Sequence, residues 1–109
     1  MEIAEERIAN ALVVHATGRL DGTTAASFES AVLARLDSKP ARLVLDFAGV
    51  EYISSAGLRA VLLAAKRAKT VDCGLAVCGL REHIREVFDL SGFANVVAIH
   101  PTVEEALRS

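Results

Sequence analysis

Short runs of valine, leucine and isoleucine alternate along this chain with segments whose apolar residues recur at three- and four-residue steps, and this alternation restricts the fold more than any other feature. The run RLVLDF, residues 42–47, is too short for a stable helix and is bounded by Pro40 and Gly49. It reads as a buried strand. Before it, Ala25, Phe28, Val32 and Leu36 fall on one helical face, with Thr23 or Thr24 placed to cap the helix and Pro40 beyond its end. After it, from Gly57 onward, Leu58, Val61, Leu62 and Ala65 trace another helical face, with Arg59, Lys66 and Arg67 mostly off it.

The same reading extends to both ends. CGLAVCG, residues 73–79, is a glycine-bounded strand, and Ile84, Val87 and Phe88 mark a third helix that Gly92 ends as a left-handed cap. ANVVAI, residues 94–99, reads as the last strand, and Thr102 with Glu105 forms a capping box that opens a short final helix. Upstream, residues 3–8 are a weak strand, and ALVVHATGRL has the β-branched content of a second, ending at Gly18. Asn10 and its neighbours make the turn between them. The expected order is ββαβαβαβα, an α/β fold with a mainly parallel sheet and an antiparallel N-terminal edge strand. At 109 residues the chain fits one domain, 1–109, large enough to bury about two thirds of its unfolded surface.

Several classes of function are disfavoured. A net charge of −2, aromatics at 5% and no tryptophan leave neither a positive field nor stacking platforms for nucleic acid. Lys66, Arg67 and Lys69 sit where cations complement the end of a helix dipole. The N-terminal MEIAEERIAN carries acids where a secretory signal carries bases, and Asp46, Arg59 and Arg81 interrupt apolar stretches well short of the roughly 20 residues that span a membrane. A cytoplasmic protein without membrane insertion is expected. Cys73 and Cys78 lie at an odd offset along a strand, on opposite faces, and read as buried thiols rather than metal ligands. His15, His83 and His100 are scattered, and neither a phosphate-binding loop nor a dinucleotide fingerprint is present. No cofactor is expected.

The stretch VEYISSAGLRA places two serines, Ser54 and Ser55, between a strand and a helix, where an N-cap needs only one. Either could be that cap. A catalytic serine would need a GxSxG elbow or a partnered base, and the sequence signals neither, which leaves a small hydrolase using Ser55 as a remote alternative. The loop follows the carboxyl end of a strand, where α/β sheets gather functional groups, and Asp21 in GRLDGTT opens onto the same edge if its strand runs parallel. A carboxylate, two hydroxyls and a helix start on one edge suit a docking surface.

LDFAGVEYISSAGLRAVLLAAKRAK resembles the central motif of the STAS domain of bacterial anti-sigma factor antagonists. GRLDGTTAASFES is similar to that family's G-x-L-D-x-x-T-A segment, and REHIREVFDLSGFANVVAIHPTVEEAL resembles its helix, SG turn, last strand and terminal helix, so the likeness spans nearly the whole chain. The resemblance implies a protein that binds a serine-kinase anti-sigma factor of the GHKL type and is released when the kinase phosphorylates a serine at a helix start, with a PP2C-type phosphatase restoring binding. Against the family's D-S-[ST]-G-L pattern, Ser55 takes the place of the phosphorylated residue, Ala56 the small position, and Ser54 the place of the usual Asp. Asp21, Ser54, Ala56, Gly57 and Leu58 are then expected in the partner surface, with Gly57 allowing a partner close to the backbone. The same resemblance leaves a STAS scaffold or the soluble subunit of a lipid-transport complex as alternatives.

Overall fold

The computed structural model describes residues 1–108. Strands β1 (Glu2–Ile8) and β2 (Ala11–Leu20) form an antiparallel hairpin in which Ile8 pairs with Ala11, leaving Ala9, at φ 55°, and Asn10 as the turn. Strands β3 (Arg42–Ile53), β4 (Gly74–Cys78) and β5 (Ala98–His100) then add in parallel, giving the spatial order β1-β2-β3-β4-β5. Helices α1 (Ala25–Leu36), α2 (Ser55–Thr70) and α3 (Glu82–Leu90) are the crossovers, and α4 (Val103–Arg108) follows the last strand. The order ββαβαβαβα and the antiparallel edge strand are as the sequence indicates.

Because the parallel strands add in one direction, right-handed crossovers carry α1, α2 and α3 to the same face. There Phe28, Val32, Leu36, Val61, Ile84 and Phe88 are buried against Leu12, Leu43 and Leu45. Each large side chain removed from water contributes about 1.5–3 kcal/mol. The other face packs Val13, Val44, Ala76 and Cys78 against Ala106 of α4. Burial on both faces explains why β2 and β3 read as continuous apolar runs rather than alternating ones. The strand order never reverses, so the sheet lacks the switch-point crevice in which doubly wound folds hold nucleotides.

Strand boundaries and one helix face differ from the sequence reading. β3 continues through Ile53 instead of stopping near Phe47, because Val50 and Ile53 are buried and β2 follows it to Leu20 through register shifts around Thr17 and Gly18. Gly49 is therefore inside the strand, where a Cβ would lie 2.9 Å from Thr17 Oγ1, a close approach rather than a stop signal. The final strand is only Ala98–His100; left-handed Gly92 turns the chain into a 3₁₀ turn at Phe93–Asn95, and Phe93 packs edge-on against Phe88. On α2 the buried face is Gly57, Ala60, Val61, Ala64, Ala65 and Ala68, with Leu58 and Leu62 at its border. Small residues bring this helix close to the sheet.

Candidate functional site

Leu20 and Ile53 are the last paired residues of parallel strands β2 and β3, so Asp21 and Ser54 leave the sheet side by side. The Ser54 N–H donates to the Leu20 carbonyl at 2.9 Å, tying the two exits together. Asp21 starts the turn into α1: its Oδ1 accepts from the Thr23 N–H at 3.0 Å and from the Thr23 hydroxyl at 2.8 Å. Those hydrogen bonds, with the Arg19 guanidinium 3.5 Å from Oδ2, hold the Asp21 carboxyl below the usual carboxylate range. Thr24 is the N-cap residue of α1, but its hydroxyl accepts from the Asp21 N–H at 2.9 Å and donates to the Arg19 carbonyl at 2.8 Å instead of capping the helix.

The two serines divide their work. Ser54 is extended, at φ −100° and ψ 175°, and its Oγ accepts from the Gly57 N–H at 3.3 Å, which makes it the cap of α2. Ser55 is the first residue of the helix, exposed, with no hydrogen-bond partner for its hydroxyl among the described residues. Ala56 is exposed, Leu58 is half-buried against the core, and Gly57 is buried. A Cβ on Gly57 would stand 2.6 Å from the Leu20 carbonyl oxygen and 2.9 Å from Ile53 Cγ1. The close approach that this glycine permits is internal.

An open groove of about 610 Å³ runs beside the free hydroxyl, bounded by Ala25, Ala26 and Glu29 of α1 and by Ser55, Ala56 and Arg59 of α2. The sequence reading gave Glu29 no role and placed Arg59 only off the apolar face of its helix; both gain meaning only when the two helices meet. It also passed over Arg19 and Tyr52, cross-strand partners at the end of β2 and β3, whose guanidinium lies 4.3 Å from the ring centroid. The exposed Tyr52 ring and the Arg19 guanidinium form a cation–π pair beside the serine loop.

The histidines are engaged elsewhere. The His83 ring donates from Nε2 to the Glu51 carbonyl at 2.8 Å, while His100 lies on the edge strand β5. His15 sits on the α4 face with Nδ1 2.7 Å from Asp46 Oδ2 and Nε2 3.1 Å from Glu6 Oε1; the two carboxylates raise its pKa. None of the three hydrogen-bonds Ser54 or Ser55 among the described residues, so the 2.6–3.2 Å or so contact of a nucleophile with its base is not formed. Cys73 is buried beneath the helices and Cys78 on the α4 face, as their odd spacing indicates. Burial and the Asp46 carboxylate push the Cys78 thiol up to about 12, which keeps it protonated and unreactive. No helix among the described residues is long and apolar enough to cross a membrane.

Fold and site together define an α/β domain that presents its polar groups on an open edge of parallel strands instead of enclosing them. The chain belongs to the STAS domain family, whose model matches residues 2–106. It is 37% identical over 106 residues to BtrV of Bordetella bronchiseptica, a protein assigned as an anti-sigma factor antagonist, covering 97% of this chain and 91% of that one. The structure is similar to that of an anti-sigma factor antagonist from Mycobacterium paratuberculosis, with 27% identity, a TM-score of 0.84 and coverage of 98% and 91% of the two chains. It also shares the fold of the Bacillus cell-fate determinant SpoIIAA in its phosphorylated form, at 18% identity, a TM-score of 0.74 and coverage of 98% and 97%.

Proposed function

We propose that this protein is an anti-sigma factor antagonist: an interaction protein, not an enzyme, that binds a GHKL-type serine-kinase anti-sigma factor and is released when Ser55 is phosphorylated. The observation that carries the reading is the division of labour at the helix start. Ser54 caps α2, and Ser55 keeps an exposed, unengaged hydroxyl at the position of the family's acceptor. The kinase transfers the γ-phosphoryl group of ATP to Ser55 Oγ, forming the phosphoester with loss of the hydroxyl proton and leaving ADP. A PP2C-type phosphatase hydrolyses the ester and restores binding.

Asp21, Ser54, Ala56 and Leu58 form the partner surface beside that hydroxyl, with Gly57 beneath it as the internal contact that sets their position. Ser54 replaces the family's usual Asp without loss of capping, because both residue types accept from the helix N–H groups; one negative charge is lost from the partner surface. A phosphate at Ser55 adds about −1.5 to −2 charges there. Burying that charge against a partner costs several kcal/mol, so affinity falls by roughly 100-fold or more.

Titration calorimetry against the kinase in ADP tests the reading on unmodified, phosphorylated and Ser55→Ala proteins. Tight binding by the first and third and weak binding by the second is expected. Equal affinities for all three would overturn it, and capture of a transport ATPase in place of a kinase would assign the domain to a lipid-transport complex.

A further inference from the structure

We infer that Arg59 is the receptor for a phosphate carried on Ser55, so that the modified side chain is held in its own groove by this chain; the inference rests on Ser55 being the phosphoacceptor. Ser55 and Arg59 are four residues apart on α2 and bound the same groove. That spacing puts the two side chains one turn apart on one face, with the anion on the N-terminal side, the favoured orientation of a helical ion pair. A guanidinium also matches the oxygens of a phosphate in a two-pronged geometry.

Glu29 and Arg59 are the charged residues that line the groove, and Arg59 differs from several other arginines of the protein in being unpaired among the described residues. Arg19, Arg35, Arg67 and Arg85 each hold a carboxylate, from Asp21, Glu5, Asp37 and Asp89 respectively. Arg59 is exposed and forms no ion pair or hydrogen bond among the described residues. Across the groove stands Glu29 of α1, whose carboxylate repels a phosphate turned toward that wall and favours the Arg59 side. Modification therefore changes the groove twice. It adds an anion at Ser55 and neutralises the cation of the unmodified groove.

The test uses full-length protein with phosphoserine encoded at position 55, which removes any dependence on a kinase, and follows the phosphate by ³¹P NMR through a pH titration. In the parent protein the second phosphate pKa should lie about 0.15–0.4 units below that in Arg59→Gln, the size expected for a helical ion pair. Arg59→Lys should recover part of the shift as a point charge, Glu29→Gln should lower the pKa further, and high salt should shrink both differences. Coincident titrations in the parent, Arg59→Gln and Arg59→Lys would overturn the inference. Failure of the kinase to modify Ser55 in the unmodified protein is a separate outcome, read by peptide mass spectrometry, and would overturn the phosphoacceptor reading instead.

Discussion

The backbone carbonyl of Leu20 accepts the Ser54 N–H at 2.9 Å and lies 2.6 Å from where a Cβ on Gly57 would stand. One oxygen thus joins the end of β2 to the start of α2. It fixes the spacing between the Asp21 turn and the serine loop, which reach the same edge from different parts of the chain.

Gly57→Ala should accordingly destabilise the fold by about 1–3 kcal/mol, the range for overpacking where backbone must move. Gly22 has nothing within 4 Å of an added Cβ, so Gly22→Ala should change stability by no more than about 0.5 kcal/mol. Urea denaturation of both variants measures the contrast. Similar midpoints would show that the Leu20 contact does not constrain the site.

Stability should separate the two serines as well. Ser54→Ala loses the cap of α2, which is worth about 0.5–2 kcal/mol, whereas Ser55→Ala should stay within about 0.5 kcal/mol of the parent. Thermal and chemical melting of the two variants check this. A cost at Ser55 equal to that at Ser54 would make both residues structural.

Asp21 serves the turn through its Oδ1 and carries a charge that a partner can read. Asp21→Asn keeps the amide oxygen as acceptor, so its melting temperature should remain near the parent's while kinase binding weakens; Asp21→Ala should lose both. Its folded-state pKa is lowered from 3.8, so the carboxylate's stabilisation is present above that value and lost as pH falls through the folded pKa. Kinase affinity unchanged in Asp21→Asn would assign the residue to the turn alone.

His15 bridges β1 and β3 through Glu6 and Asp46, and its pKa is raised from 6.5. A raised folded pKa stabilises most fully below 6.5, and the benefit disappears as pH rises through the folded value. The melting temperature of the parent should therefore exceed that of His15→Gln by most near about pH 5.5, converging at alkaline pH. Because the His15 side chain is 37% exposed, added salt should narrow the gap. A gap independent of pH would mean that the ring acts by packing.

The order of elements was legible because periodicity survives in a single chain: Phe28, Val32 and Leu36 repeat at four residues and are buried as a helical face should be. The ends of elements were less legible. Gly49 reads as a strand boundary on local grounds, yet β3 runs past it because the pairing with β2 and the burial of Val50 and Ile53 outweigh the conformational cost of a glycine. ANVV has strand composition, but the left-handed turn at Gly92 and the Phe88–Phe93 contact hold its beginning in a 3₁₀ turn.

The sequence by itself determined the alternation of strands and helices and the placement of Ser54 and Ser55 at a strand-to-helix junction. These are local properties, carried by side-chain period and by residue types within a few positions of one another. Only the tertiary structure decided which serine caps α2 and which stays free, why Gly57 must lack a side chain, and that Glu29 and Arg59 face one groove beside Ser55. The cap is a three-residue contact, Ser54 Oγ to the Gly57 N–H, at a junction that the Leu20 carbonyl holds through the Ser54 N–H; the other two depend on where α1 and β2 stand relative to α2, a placement set by parallel pairing and core burial among segments tens of residues apart, information that no local window contains.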